Sequence, residues 1–345
     1  MLTKIWQKWI DFFKQKYEQK IMDNETKTIP KNESENLSNP QISVAVCTYN
    51  RADRLVSALD GLITQSLPTE KFEIILVDNA STDNTKEVCI RYQEKLSNLY
   101  YIYEPVQGLS RARNTALDRA RGKYISYLDD DAIPCEIWLG EILQTFETVK
   151  PMPIGIGGPI YPLWEMGEPE WMQPEMDFLF SIIDYGKESH WLKFPKFPFG
   201  ANMSYQREAI LKAGGFDESL GRKGGSLLSC EEYLLNKTLT KQGGRFYYNS
   251  QASVQHWIPK QRTDPNWLIR RSYWQGRSEG VVDKIVGKSL KRQWWDSFGK
   301  VINLKRILDL WSSESKVNIS AQAWRSRCWG YFFQVWFHHT LPSKK

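Results

Sequence analysis

The sequence predicts an α/β fold, with a mostly parallel central sheet carrying helices on both faces. Two observations predict it. From Ile42 onward, short apolar runs alternate with longer segments of helical periodicity, the pattern of strands joined by crossover helices. Small polar clusters follow three of those runs directly, and the carboxyl ends of the strands are where an open parallel sheet collects its ligands.

Taken in order, Leu2, Ile5, Trp6, Trp9, Ile10, Phe13 and Tyr17 recur at three- and four-residue spacing, which predicts an amphipathic N-terminal helix within residues 1–22. Residues 23–41 are polar and unpatterned and read as a linker. The runs Ile42–Cys47, Phe72–Val77, Leu99–Tyr103 and Tyr124–Leu128 are the expected strands. Leu55, Leu59, Leu62 and Ile63 predict a helix ending near Ser66. A second helix follows Ser81-Thr82-Asp83, which supplies its cap, and a third runs from Ser110 to Arg121 and stops at Gly122. Residues 42–150 form a first lobe. Residues 151–200 are rich in Gly, Pro and aromatics and 201–285 return to mixed helix and strand, so 151–285 form a second lobe. Residues 286–345 are a basic, Trp-rich helical tail.

Composition narrows the function classes. Of 345 residues 41% are hydrophobic and 25% charged, values of a globular chain rather than a disordered, fibrous or membrane-spanning one. The net charge of +6 comes from the tail, where residues 288–345 hold 11 Lys/Arg against 3 Asp/Glu, together with six Trp. Cations interleaved with Trp and Phe suit an anionic lipid surface, with ordinary packing against the body as the other reading, and no nucleic acid is expected as a partner. The five cysteines are odd in number and widely spaced without a Cys-x-x-Cys pair, which points to a reducing cytosol rather than a disulfide framework or zinc site. Lysines interrupt the apolar residues at the N-terminus, unlike a secretory signal, and no run approaches the roughly 20 apolar residues of a membrane span. The expected location is cytoplasmic, peripheral at the inner face of the membrane.

Asp129, Asp130 and Asp131 follow the fourth run, and three adjacent carboxylates repel one another unless a cation compensates. Hard oxygen ligands of this kind suit Mg²⁺ or Mn²⁺ shared with substrate phosphates. A helix cap or acidic turn explains the same composition. Asp78, after the second run, is likewise either a cap or an acceptor for a nucleobase N–H. The Gly-rich fingerprint of dinucleotide-binding folds is missing after the first run.

Together these pieces form a specific pattern: Val-Ala-Val-Cys-Thr-Tyr-Asn-Arg (44–51), Ile-Ile-Leu-Val-Asp-Asn-Ala-Ser-Thr-Asp (74–83), Gly-Leu-Ser-Arg-Ala-Arg-Asn (108–114) and Leu-Asp-Asp-Asp (128–131). It continues with Gly-Ala-Asn-Met (200–203), Gly-Gly-Phe-Asp-Glu (214–218) and Cys-Glu-Glu (230–232). In order and spacing the chain resembles glycosyltransferase family 2, of GT-A fold, over about residues 42–280. The resemblance implies an inverting transfer from a nucleoside-diphosphate sugar, UDP-linked, to a hydroxyl of a glycan or glycolipid acceptor in polysaccharide or glycolipid synthesis. It implies that Thr48, Tyr49, Asn50, Arg51, Asp78, Arg113, Asp129 and Asp130 bind the nucleotide sugar, with Asp78 and Arg113 facing the base. Asp131, with Asp129 and His256, would hold a divalent metal, Mn²⁺ or Mg²⁺. Glu231 and Glu232 match an acidic pair that supplies the catalytic base; relatives usually show Glu followed by Asp, and this chain has Glu second. Glu232 is the expected base. Trp164, Trp171, Trp191 and Phe199 are candidates to stack on an acceptor sugar. Arg111 is read as a solvated charge or a pocket residue. A nucleotidyltransferase would require a basic, Gly-rich phosphate loop near the first strand, which is missing. A non-catalytic nucleotide-sugar-binding or membrane-scaffolding protein is the competing reading, and turnover separates it from an enzyme.

Overall fold

A computed structural model describes residues 40–289, 291–293, 295 and 309–337. The expected N-terminal helix, nearly all of the linker and parts of the tail lie outside the described residues.

Four strands come from the apolar runs: β1 (Ile42–Thr48), β2 (Phe72–Asp78), β3 (Leu99–Tyr103) and β4 (Tyr124–Asp129). They pair in parallel in the order β3-β2-β1-β4. All seven residues of β2 are buried, which explains a continuous apolar run where a half-exposed strand would alternate. Of its two acidic residues, Glu73 accepts from Ser43 Oγ at 2.6 Å and from the backbone N and Nε of Arg121, both at 2.8 Å, and Asp78 ends the strand. Burial is thereby compensated.

Beyond β4 the sheet changes direction, and the expectation of a mostly parallel sheet is corrected to a mixed one. β6 (Gly155–Gly157) and β9 (Asn202–Gln206) follow in the chain, and β9 runs antiparallel to both β4 and β6. β10 (Phe246–Tyr248) is parallel to β6, and the edge strand β8 (His190–Trp191) is antiparallel to β10. β6 and β10 are three residues each, too short to carry a period in the sequence. The long segment between β4 and β9 contains several strands as well as a helix and is not a single strand-helix-strand crossover, so nothing forces β9 parallel. One eight-stranded sheet therefore crosses the boundary at residue 150 between the two expected lobes.

Helices cover both faces. In chain order they are α1 (Ala52–Ile63), α2 (Thr85–Gln93), α3 (Leu109–Arg119), α4 (Trp138–Thr148), α5 (Arg207–Ala213) and α6 (Glu231–Lys241). Leu55, Leu59, Val88, Trp138 and Phe146 of α1, α2 and α4 pack with Val44, Ile74 and Leu76 on one face. Ala112, Ala116, Ile210, Leu235 and Leu239 of α3, α5 and α6 pack with Ala45, Ile75 and Met203 on the other. α1 ends at Ile63, three residues before the expected Ser66. Asp83 does more than cap one helix: its carboxylate accepts from Thr85 N at 3.2 Å and from Ala52 N at 3.0 Å, tying the starts of α2 and α1 together. Gly122 is not the cap of α3, which stops at Arg119. A Cβ there would lie 2.6 Å from Ser43 N, so glycine permits close approach to β1.

A second sheet of three strands, in the order β5-β11-β7, consists of β5 (Ala132–Pro134), β7 (Ile160–Trp164) and β11 (Val254–Ile258). After it come α7 (Pro265–Ile285) and α8 (Ser315–Phe337), which pack along each other. Asp264 Oδ1 accepts from Asn266 N at 2.9 Å and Pro265 occupies the first turn, a strong start for α7. Among the described residues no helix is long and apolar enough to cross a membrane.

Candidate active site

Strand register brings the polar clusters together. Thr48 lies beside Asp78 across β1 and β2, and Cys47 lies beside Asp129 across β1 and β4. β5 then pairs antiparallel with β11, setting His256 opposite Ala132, and Trp257 N donates to Asp131 O at 2.8 Å. Thr48, Tyr49, Arg51, Arg113, Asp129, Asp130, Asp131, Glu231, Glu232 and His256 all line one cavity of about 1180 Å³. Of the residues expected to bind the nucleotide sugar, hold the metal or act as base, Asn50 and Asp78 do not line it. Asp78 is buried and accepts from Tyr101 OH and Ser81 N, both at 2.8 Å. Asn50 takes a left-handed φ of 51°; its N donates to Ser81 Oγ at 2.9 Å and its Oδ1 accepts from Thr82 N at 2.7 Å. These bonds join the loop after β1 to the loop after β2.

The three aspartates meet different partners. Arg113, buried on α3, reaches Asp129 at 3.2 Å and Glu231 at 2.6 Å. Arg51 Nη1 lies 2.9 Å from Asp130 and 2.8 Å from Asp131. Asp131 also lies 3.4 Å from His256 Nε2 and 3.8 Å from Arg262. Burial pushes both Asp130 and Asp131 up. For Asp131 the surrounding His256, Arg51 and Arg262 outweigh burial and hold it well below the carboxylate range, whereas Asp130 stays raised because burial and its charged neighbour Asp131 outweigh Arg51. Arg111 does not line the cavity; its Nε lies 3.1 Å from Glu104.

Among the described residues no cluster of three or more His, Cys, Asp or Glu is placed to enclose a metal. The chemistry nevertheless fits one that takes the rest of its shell from a substrate. A carboxylate and an imidazole stand together at the cavity wall, and a bound cation would take the place that the Arg51 guanidinium holds on that carboxylate. Mg²⁺-type sites commonly use one or two carboxylates plus substrate phosphates.

Glu231 and Glu232 open α6, after Cys230 in a left-handed conformation with φ of 72°. Glu231 is held by Arg113. Among the described residues Oε2 of both glutamates is buried with no hydrogen-bond partner, but Glu232 has no ion pair, and burial together with the adjacent Glu231 pushes the Glu232 carboxyl up to about 8. One carboxylate of the pair is thus committed and the other is available to accept a proton.

Residues 43–212 match the family described as Glycosyl transferase family 2. The chain carries a glycosyl transferase family 2 domain. It is a glycosyltransferase, and its sequence relatives include the glucosyl-dolichyl phosphate glucuronosyltransferase of Haloferax volcanii, 28% identical over 71% of this chain and 78% of that one. The succinoglycan biosynthesis protein ExoM of Rhizobium meliloti is 25% identical over 73% of this chain and 78% of its own. In fold this glycosyltransferase is similar to the mannosyltransferase PcManGT of Pyrobaculum calidifontis, solved in complex with GDP-Man and Mn²⁺. The TM-score is 0.59 at 18% identity, over 92% of each chain.

Sequence reasoning missed several cavity residues of this glycosyltransferase: Arg222, Ser229, Arg262, Arg271 and Gln275 also line the wall. They fall outside the motif segments and on elements with no apolar period pointing to them. Of the four aromatic candidates for an acceptor, Phe199 alone lines the cavity. Trp164 and Trp171 pack on Phe180 at ring distances of 5.6 and 6.3 Å, and Trp191 stacks edge-on with Tyr247 at 5.2 Å.

Proposed function

We propose that this glycosyltransferase moves a sugar, with inversion, from a UDP-sugar to a hydroxyl of a glycan or glycolipid, in polysaccharide or glycolipid synthesis. The observation that carries the mechanism is the pair at the start of α6: Arg113 ion-pairs with Glu231 through Oε1, whereas among the described residues Glu232 has no ion pair and its Oε2 is buried without a hydrogen-bond partner. A sugar hydroxyl is a weak nucleophile at neutral pH, and Glu232 takes its proton as general base while the hydroxyl oxygen attacks the anomeric carbon. Arg113 holds Glu231 and Asp129 apart from that proton. Arg113 recognises the base from the cavity wall; Asp78, buried beside Thr48 and outside the lining, is assigned to the base by the family resemblance alone and has lone pairs beyond those used by Tyr101 and Ser81. Thr48, Tyr49, Asn50, Arg51, Asp129 and Asp130 bind the rest of the nucleotide sugar. Asp131, His256 and Asp129 would hold Mn²⁺ or Mg²⁺, which when bound stabilises the charge of the departing nucleoside diphosphate.

The reading extends to location: a cytoplasmic enzyme resting on an anionic membrane through its aromatic, basic tail. The non-catalytic alternative lacks support, because a buried carboxylate without a partner costs stability and serves no binding scaffold.

Nucleotide-sugar hydrolysis and UDP binding, measured with Mn²⁺, Mg²⁺ and chelator on wild type, Asp131→Asn and Glu232→Gln, test the proposal. Metal-dependent turnover is expected, lost in both variants, with UDP binding kept in Glu232→Gln. UDP binding indifferent to metal and to Asp131 would remove the metal assignment.

A further inference from the structure

Five cations on the cavity wall have carboxylate neighbours. Arg51 faces Asp130 and Asp131, Arg113 faces Glu231 and Asp129, Arg327 faces Glu279, and Lys288 faces Asp283 at 2.7 Å. Among the described residues the carboxylate nearest Arg262 is Asp131, at 3.8 Å, and its guanidinium also lies 5.6 Å from the Trp267 ring. Arg271, on α7, is different. It is only 7% exposed, and among the described residues no carboxylate lies within ion-pair distance of it. Its Nη2 donates to Ser229 Oγ at 3.2 Å, while Nη1 is buried without a hydrogen-bond partner. Ser229 is itself fixed, its N donating to Ser278 Oγ at 2.9 Å and its Oγ to Gln275 Oε1 at 3.2 Å. Half-buried Arg222 stands near both Arg262 and Arg271 and, among the described residues, also has no ion pair. Burial and repulsion from Arg222 pull both buried guanidinium groups down to about 10, which leaves them charged at neutral pH.

An uncompensated buried guanidinium is unfavourable unless an anion completes it, and its planar fork matches a phosphate. We infer that Arg271 and Arg222, with Arg262 at the metal side, form an oxyanion subsite that takes a phosphate group during transfer. The subsite lies beside Cys230 and the Glu231–Glu232 pair, where an acceptor hydroxyl must be deprotonated. It also opens toward α7 and α8, since Glu279, Asp283 and Arg327 line the same cavity. A phosphate next to the reacting sugar of a lipid-linked acceptor fits that position; the donor diphosphate is the other source of the same chemistry. The inference rests on the glycosyl-transfer reading above and adds a substrate class to it.

The test uses the full chain and measures binding of geranyl phosphate, of geraniol as its neutral control, and of UDP with Mn²⁺. Wild type, Arg271→Gln, Arg271→Lys and Arg222→Gln are compared, each checked by circular dichroism for native folding. Geranyl phosphate is expected to bind wild type at least about 10-fold more tightly than geraniol, and Arg271→Gln to remove that advantage. Arg271→Lys restores part of it, because charge is kept and the fork lost. An unchanged UDP affinity in Arg271→Gln assigns the phosphate to the acceptor, whereas an equal loss for UDP assigns it to the donor. Should Arg271→Gln fail to fold, the half-buried Arg222→Gln carries the same comparison. The subsite is overturned if neither variant changes the affinity for either phosphate ligand. Mn²⁺-dependent UDP binding by wild type tests the glycosyl-transfer reading separately.

Discussion

Glu232 sets opposing demands on activity and stability. Its carboxyl is pushed up to about 8 by burial and by Glu231, so at neutral pH much of it is protonated. A general base acts only when ionised, so kcat/KM is expected to rise with pH and level off above about 8. Glu232→Gln should lower transfer about 10²–10⁴-fold and abolish that limb, with UDP affinity unchanged. Stability runs the other way. The folded-state value lies above the unfolded one, so the contribution is fully present below the ordinary carboxyl range and is lost as pH rises through about 8. Urea unfolding at pH 6 and pH 9 reads this directly: wild type should lose stability between the two, and Glu232→Gln should lose less. Equal losses would mean that the carboxyl is not held neutral by its site. Which glutamate does this was only partly legible in the sequence. The motif supplied the pair, but the choice depends on Arg113, which sits 118 residues away and bonds Glu231.

At the level of elements, what the sequence made legible follows from continuous burial. β1, β2 and β4 are buried on both faces, so their runs stand out, and the polar residues that end them converge because register aligns Thr48 with Asp78 and Cys47 with Asp129. Strands of three residues such as β6 and β10 have no such signature, and the mixed half of the sheet was therefore invisible. The α7–α8 contact was also illegible, because it depends on missing side chains. A Cβ on Gly276 would lie 1.8 Å from Arg327 O, and one on Gly330 would lie 1.9 Å from Tyr273 O. The two helix backbones touch at these glycines, and the obstacles are carbonyl groups rather than flexible side-chain ends. Gly276→Ala must therefore part the helices and should cost about 1–3 kcal/mol, as overpacking does. Chemical denaturation measures this, and a neutral result would show that α8 does not pack against α7 as described.

Across the whole molecule, one cavity joins the sheet to the α7–α8 pair, since Glu231 and Glu232, Arg271 of α7 and Arg327 of α8 all line it. The outer face of α8 is not neutral ground. Arg325, Trp329, Phe333 and Phe337 recur every four residues and are all exposed, while Ala321, Cys328, Tyr331 and Val335 are buried on the inner side. Trp311, just before the helix, is 87% exposed. A stripe of cation and aromatics at helical spacing is the arrangement by which a helix lies in a lipid headgroup layer. The proposed membrane contact therefore has a defined face, and it lies beside the end of the cavity lined by Arg327. Replacing Trp329, Phe333 and Phe337 together by Ser should reduce co-sedimentation with anionic vesicles about 10-fold, since each loses buried apolar area at the interface. Donor hydrolysis in solution should be unchanged, because none of the three lines the cavity. Added salt should weaken wild-type binding only in part, as screening removes the attraction of Arg325 and its neighbours but not the apolar insertion. Vesicle binding that survives the triple substitution intact would move the contact elsewhere on the chain and detach it from the acceptor end of the cavity.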